Sequence, residues 1–127
     1  MREIIIIEQS SDSPFVEFNP NKGTLSIHGK SLLENTYDFY GPVLEAVKGF
    51  VNDEFSPLTV DVRFDYLNSS TSRYFMELLM ILENSDADHE IKWYYEEGDD
   101  VIEEKGEQFK SLAELEFVIS VLDLKRA

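Results

Sequence analysis

The sequence predicts a mixed α/β fold: a single domain over residues 1–127, with helices packed on a central mixed β-sheet. Its length is near the commonest size of one domain, and it contains no internal repeat or linker. An N-terminal antiparallel hairpin pattern is followed by alternating strand and helix patterns of the form β-α-β-α-β. Such alternation favours a partly parallel sheet with right-handed crossovers.

The first three periodic segments predict strands. Residues 3–8 contain four consecutive β-branched isoleucines, Ile4 to Ile7, and predict a buried strand. Residues 15–18 and 24–29 alternate between apolar and polar side chains. Residues 19–23, Asn-Pro-Asn-Lys-Gly, predict a tight turn between them, because Asn and Gly tolerate positive φ and Pro fixes its own. The second and third strands therefore form an antiparallel hairpin.

A first helix is predicted to end near Asn52. Ser31 and Glu34 have the spacing of a capping box, and Asn35 is an alternative N-cap. Pro42 lies in the early part of this segment, where it predicts a later start or a bend. One face of the helix is predicted to be buried, because apolar residues recur at helical spacing: Phe39, Tyr40, Val43, Leu44, Val47, Phe50 and Val51.

The second half of the chain predicts further strands and helices. Residues 58–66 alternate throughout and give the clearest strand, and residues 72–84 predict an amphipathic helix. Residues 89–96 predict another strand, and residues 99–108 a short helix with few apolar positions. Residues 112–124 are ambiguous, because their apolar residues fit both a strand and a helix.

The charge of the chain restricts the classes of partner. With 26 acidic and 11 basic residues, the net charge is −15, which repels phosphate backbones and anionic lipids. We therefore expect protein partners and no nucleic acid, although the acidity also serves solubility. Cysteine is absent, which excludes disulfides and zinc-thiolate sites. No segment has the length of a signal core or a membrane span, so we expect a cytoplasmic protein without membrane insertion.

Motifs of catalysis and nucleotide binding do not occur in the chain, so we expect neither an enzyme nor a cofactor. His28 and His89 lack a second histidine at helical spacing. The acidic turn 96–100 does not match a calcium loop. It nevertheless leaves a small-molecule- or metal-binding module without phospho-switching as the alternative function. Asp61 and Asp65 form a candidate carboxylate pair, but four residues of strand separate them by roughly 13 Å, too far to share a proton.

Asn68 and four hydroxyl residues, Ser69 to Ser72, lie where a strand meets a helix. One hydroxyl suffices to cap a helix, which is the structural explanation for the cluster. A phosphate would also be stabilised there, because a helix N-terminus offers free N–H groups and a partial positive charge. Arg73 could pair with that phosphate. The cluster is therefore a candidate reversible phosphorylation site.

Four short motifs have an order and spacing that are together specific. They are Pro14-x-Val16-x-Phe18-x-Pro20-x-x-Gly23-x-Leu25-x-Ile27-x-Gly29, Glu34-Asn35-x-Tyr37-x-Phe39-Tyr40, Tyr66-Leu67-Asn68-Ser69-Ser70 and Trp93-Tyr94-Tyr95-Glu96. In these motifs the sequence resembles the SiaC family of bacterial regulatory phosphoproteins. The resemblance extends over about residues 3–117, and we expect residues 118–127 to be a tail of uncertain order.

The resemblance implies a fold similar to that of anti-sigma factor antagonists and a function in partner switching. It implies that the unphosphorylated form binds and activates an output enzyme such as a diguanylate cyclase, in cyclic di-GMP signalling and biofilm formation. A cognate serine/threonine protein kinase, similar to histidine kinases, would switch this binding off. A PP2C-type phosphatase would restore it.

The resemblance also implies a phosphorylation site on the hydroxyl residue directly after Asn in the Tyr-x-Asn-[Thr/Ser]-Ser motif, which is Ser69. The family usually has threonine at this position, so Ser70 and Thr71 remain alternative acceptors. Aromatic residues are enriched at interfaces, and the candidate partner contacts are Asn68, Tyr37, Tyr40, Tyr66 and Tyr74. At helical or strand spacing, such tyrosines more often belong partly to the core.

Overall fold

The computed structural model describes residues 3–54 and 56–122, and within them six strands and three helices form one sheet with one helical layer. In chain order the elements are β1 (Ile5–Ile7), β2 (Phe15–Asn19), β3 (Thr24–Ser31), α1 (Thr36–Glu54), β4 (Thr59–Leu67), α2 (Ser69–Glu83), β5 (Glu90–Glu96), α3 (Asp100–Leu112) and β6 (Glu116–Leu122).

Strands that follow one another in the chain are also neighbours in the sheet, whose order is β1-β2-β3-β4-β5-β6. β1, β2 and β3 pair antiparallel, and β3, β4, β5 and β6 pair parallel. One helix connects each parallel pair. Because right-handed crossovers step in one direction along the sheet, these helices lie on the same face. The predicted mixed sheet with an N-terminal antiparallel hairpin is confirmed.

The core lies between that helical layer and the alternating residues of the central strands. In β4, Val60, Val62 and Phe64 are buried, whereas Asp61 and Arg63 on the opposite face are half-buried. Helical side chains complete the core: Val43, Val47, Phe50, Val51, Phe75, Leu78, Leu79, Leu82, Ile102 and Phe109. The alternation that predicted the strand holds through Phe64. Beyond it the register shifts, so Tyr66 is exposed and Leu67 is buried.

Trp93 of β5 fixes the position of α3. Its indole is fully buried, and Nε1–H donates a hydrogen bond to the carbonyl oxygen of Ile102 at 3.0 Å. Gly106, one turn further along α3, packs directly against the ring: a Cβ atom there would lie 2.6 Å from both Cδ1 and Nε1 of Trp93. The absence of a side chain at Gly106 is therefore what lets α3 approach the sheet this closely.

The prediction of a buried first strand is wrong. β1 covers only Ile5–Ile7, and the side chains of Ile4 and Ile6 are exposed. Among the described residues, β1 is an edge strand that pairs with β2. Its β-branched residues favour the extended backbone, but helices cover one face of the sheet, so Ile5 and Ile7 pack partly against the core while Ile6 on the other face is exposed.

The structure decides between the predicted N-caps of α1 and corrects the start of α2. Asn35 is confirmed as the cap of α1, because its side chain accepts the Asp38 N–H at 3.3 Å, whereas Ser31 ends β3 as a buried residue. α1 begins at Thr36 and continues across Pro42. α2 begins at Ser69, three residues before the predicted start, because the Asn68 side chain is its N-cap.

The ambiguous C-terminal segment divides between two elements. α3 extends to Leu112, beyond the predicted end, and Glu116–Leu122 forms the edge strand β6. The pairing of β6 with β5 decides between the two patterns that the sequence allowed. Part of the expected tail is therefore strand, and residues 123–127 lie outside the described residues.

Gly106→Ala is expected to lower the free energy of unfolding by about 1–3 kcal/mol, because the new methyl group overlaps the Trp93 ring. Urea unfolding followed by circular dichroism measures this change. Gly49→Ala in α1 is the matched control, since a Cβ atom there meets nothing within 4 Å. It is expected to stabilise by about 0.5–1 kcal/mol through helix propensity. Equal effects of the two variants would contradict the packing argument.

Candidate functional site

Asn68 joins three elements at the carboxyl end of β4. Its Oδ1 atom accepts hydrogen bonds from the Thr71 backbone N–H at 2.9 Å and from the Thr71 hydroxyl at 2.8 Å. Its Nδ2 group donates to the Leu33 carbonyl at 3.0 Å, and its backbone N–H donates to the Ser31 carbonyl at 3.1 Å. The N-terminus of α2 is thereby attached to the segment between β3 and α1.

The four hydroxyl residues have different environments, because successive residues of a helix face directions about 100° apart. Ser69, the first residue of α2, is exposed. Ser70 and Ser72 are half-buried, and Thr71 is only 1% exposed. Among the four, Ser69 is therefore the hydroxyl that a protein partner can reach most easily.

Thr71 belongs to a buried group of hydroxyls beneath Ser69. Its Oγ1 atom lies 2.6 Å from Oγ of Ser31, which in turn lies 2.6 Å from the phenolic oxygen of Tyr40. Burial raises the pKa of Tyr40 to about 12, so the phenol stays protonated. Sequence reasoning missed the position of Ser31; the alternation of β3, in which Leu25 and Ile27 are buried, was the signal that could have revealed it.

The candidate tyrosines fall into two groups. Tyr37 and Tyr66 are 68% and 46% exposed at the end of the sheet where α2 begins. Tyr40 is only 5% exposed, so of the two roles that the sequence left open, partner contact and core residue, its side chain has the second. Tyr74 is half-buried and stacks on Tyr40 with ring centroids 6.1 Å apart. Leu32, which the sequence did not single out, is also exposed here.

The charge around Ser69 favours an anion. Arg73, four residues later in α2, is exposed, and the first turn of α2 contains no acidic residue. N–H groups in the first turn of a helix lack intrahelical acceptors and carry a partial positive charge. The first turn of α2 therefore carries no negative side chain, although the whole chain has a net charge of −15.

The other candidate residues have structural partners. Asp61 accepts hydrogen bonds from His28 at 2.9 Å and from Arg63 at 3.0 Å on the helix-free face of the sheet. Burial opposes ionisation of Asp61, but these bonds hold its pKa below the usual value. His89 is buried, where its Nδ1 atom accepts the Leu58 N–H at 2.9 Å. Burial lowers the pKa of His89.

The acidic turn after β5 also has a local explanation. The Asp99 side chain accepts the Ile102 N–H at 3.1 Å and is the N-cap of α3. Across residues 3–54 and 56–122, no group of three or more His, Cys, Asp or Glu residues is arranged to hold a metal ion. Over the same ranges, none of the helices is long and apolar enough to cross a membrane.

A sequential mixed sheet with one helical layer, and an accessible hydroxyl on the first residue of a strand-following helix, define a small single-layered α/β domain. The sequence model for SiaC family regulatory phosphoproteins matches residues 7–122. The chain therefore belongs to the SiaC family of regulatory phosphoproteins, as the four sequence motifs indicated.

Solved structures support this assignment. The chain is similar to apo-SiaC from Pseudomonas aeruginosa, with a TM-score of 0.88 and 28% identity over 94% of this chain and 99% of that one. It is similar to SiaC in the crystal structure of the diguanylate cyclase SiaD with its activator SiaC from Pseudomonas aeruginosa, with a TM-score of 0.89 and 28% identity over 93% and 99% of the two chains.

One curated protein is similar to this chain over most of its length. An uncharacterised protein of Pseudomonas aeruginosa (strain UCBPP-PA14) is 29% identical over 120 residues, which cover 92% of this chain and 95% of that protein. The match to the family model, over residues 7–122, extends through β6 and is not confined to the motifs around Asn68.

Asn68→Ala is expected to lower the free energy of unfolding by about 1–2 kcal/mol, because α2 loses its N-cap and the bond to Leu33. Ser69→Ala is the control, since an exposed hydroxyl next to the cap should change stability by less than about 0.5 kcal/mol. Denaturant titration of both variants provides the measurement. A cap variant as stable as the parent would show that Asn68 does not hold the turn.

Asp61→Asn is expected to destabilise the protein near neutral pH and to match the parent in strong acid. A carboxyl group whose folded pKa is lowered contributes stability above its unfolded pKa of about 4, and this contribution disappears as pH falls through the folded pKa. Thermal melting across pH 2 to 7 measures the difference. Asp65→Asn, an exposed carboxyl on the same strand, is the control. A pH-independent difference would contradict the assignment to Asp61.

Proposed function

We propose that this protein is a phosphorylation-controlled regulatory interaction protein of the bacterial cytoplasm, and that it acts by binding and not by catalysis. The form with an unmodified Ser69 binds an output enzyme. A cognate serine/threonine protein kinase ends that binding by phosphorylating Ser69, and a PP2C-type phosphatase restores it. The observation that carries the proposal is the exposure of the Ser69 hydroxyl at the start of α2 in a family of regulatory phosphoproteins.

Ser69 is preferred to its neighbours on structural grounds. The Thr71 hydroxyl is buried and bonded to both Asn68 and Ser31, so a kinase would first have to unfold the turn to reach it. Ser70 is half-buried. Ser69 requires no such opening, and threonine at the corresponding position of the family would keep the same hydroxyl.

A phosphate on Ser69 would change the surface and leave the fold intact. It adds about −1.5 to −2 charges at a helix N-terminus, where the helix dipole and free N–H groups stabilise an anion. Arg73 lies one helical turn away and can pair with it. A partner surface that fits the neutral hydroxyl then meets a charged, hydrated group, and its binding weakens.

The proposed output enzyme is a diguanylate cyclase, which would connect the protein to cyclic di-GMP signalling and biofilm formation. The support is the similarity to SiaC, which is described as the activator of the diguanylate cyclase SiaD. Exposed Tyr37, Tyr66 and Leu32 surround the same end of the sheet as Ser69. They are the apolar contacts that we assign to this interface, since aromatic side chains supply much of the binding energy at protein interfaces.

Mass spectrometry of the protein purified from its native host is expected to locate one phosphate on Ser69. Peptide mapping distinguishes Ser69 from Ser70 and Thr71, and phosphatase treatment of half the sample is the control. A phosphate on Thr71 would refute the assignment by burial. An unmodified cluster under all growth conditions tested would refute the switch itself.

Ser69→Asp is expected to weaken cyclase binding by about tenfold or more, although it carries one negative charge where phosphate carries nearly two. Ser69→Ala is expected to bind as the unmodified parent does and to resist the kinase. Titration calorimetry with the host's diguanylate cyclase measures both. Ser111→Ala, an exposed serine at the end of α3, is the control. Unchanged affinity of the Ser69→Asp variant would contradict the switch.

A further inference from the structure

The buried hydroxyls beneath Ser69 form a chain with a fixed direction. The Thr71 hydroxyl donates its single proton to Oδ1 of Asn68. Its contact with Ser31 at 2.6 Å must therefore be one in which Ser31 donates. The Ser31 proton is then used as well, so the contact at 2.6 Å between Ser31 and Tyr40 is one in which the Tyr40 phenol donates.

The donor at one end of this chain of hydrogen bonds and the acceptor at its other end are both fixed. At one end, the Tyr40 proton is available because burial raises the pKa of the phenol to about 12. At the other end, Oδ1 of Asn68 is directed toward α2 because Nδ2 of the same amide donates to the Leu33 carbonyl. The order of donation is thus Tyr40, Ser31, Thr71, Asn68, and it connects α1 through β3 to the cap of α2.

We propose that Tyr40, Ser31 and Thr71 are positioning residues for the phosphorylation of Ser69. Their one-way chain of hydrogen bonds holds the Asn68 cap, and the cap in turn sets the direction of the adjacent Ser69 hydroxyl. This proposal rests on the proposed function for the identity of the reaction. The proposal goes beyond that function, because it assigns a role in phosphorylation to buried residues that neither the kinase nor ATP contacts.

Two properties of this chain of hydrogen bonds make it suited to positioning the Ser69 hydroxyl. All three hydroxyl residues are buried, so water does not compete for their hydrogen bonds. Tyr40 is also held by its ring, which packs edge-on against Phe39 at 4.7 Å and stacks on Tyr74 at 6.1 Å. Removing the Tyr40 hydroxyl alone therefore takes away the first donor of these hydrogen bonds, which weakens the bonds that follow it, and leaves the aromatic packing in place.

Amide hydrogen exchange tests, without any kinase, whether the chain of hydrogen bonds stabilises the first turn of α2. In Tyr40→Phe, the amides of Thr71 and Ser72, which are bonded to Asn68, are expected to exchange about fivefold faster. The amides of Ile91 and Trp93 in the core strand β5 provide the reference for global opening. Tyr94→Phe, which removes a phenol on the helix-free face beside Arg63, is the matched control and is expected to leave the Thr71 and Ser72 amides unchanged.

Phosphate transfer tests the positioning itself. With native-host extract and Mg-ATP as the source of kinase, Tyr40→Phe and Thr71→Val are expected to lower the maximal rate of transfer to Ser69 by about tenfold, with KM within about twofold of the parent. Thr71→Ser keeps the hydroxyl and is expected to restore the rate. A lower stability alone would not produce this separation of rate from KM at a temperature where every variant is folded.

The outcomes separate this proposal from the proposed function. Unchanged exchange in Tyr40→Phe, or a parental transfer rate despite faster exchange, would overturn the positioning role. If the parent accepts no phosphate at Ser69, the proposed function fails, and the exchange measurement alone supports or overturns the hold on the turn. Faster exchange with a reduced rate and rescue by Thr71→Ser would support both.

Discussion

The handedness of the crossover connections is the constraint on which this structure depends. Three parallel steps in one direction place the helices on one face of the sheet, and they bring the ends of β3 and β4 together with the starts of α1 and α2. Asn68 can therefore bond at once to the segment after β3 and to the first turn of α2. The topology makes the starts of α1 and α2 neighbours, so the side chain that caps α2 also connects it to the segment that precedes α1.

Local pattern was sufficient for most of the elements. The alternation of residues 58–66 predicted β4, and the junction after it predicted a helix preceded by a cluster of four hydroxyl residues. The family resemblance, and not the local pattern, selected Ser69 from that cluster. Residues whose environment depends on distant partners were predicted less well. β-branched residues indicated β1 as a strand but not its place at the sheet edge, and the spacing of Ser31 and Glu34 fitted a cap that the strand end of β3 excludes.

The separation of Ser69 from Thr71 shows why the site required the structure. Four adjacent hydroxyls are chemically alike in the sequence, and a start of α2 at Ser72 would have left three of them in a loop. The actual start at Ser69 turns the Thr71 hydroxyl inward toward Ser31 while Ser69 stays outside. The position of Tyr40 also required the structure. Helical spacing allowed this side chain to be in the core or on the surface, and its contact with Ser31 shows that it is in the core.

The close approach of α3 to Trp93 has an evolutionary consequence. The distance of 2.6 Å to a Cβ atom at position 106 means that an indole at 93 and a side chain at 106 compete for the same volume. The two positions are therefore not free to vary independently. A descendant that gains alanine or serine at 106 loses stability unless the residue at 93 becomes smaller or α3 moves outward, so a smaller residue at 93 should make substitution at 106 easier to accept.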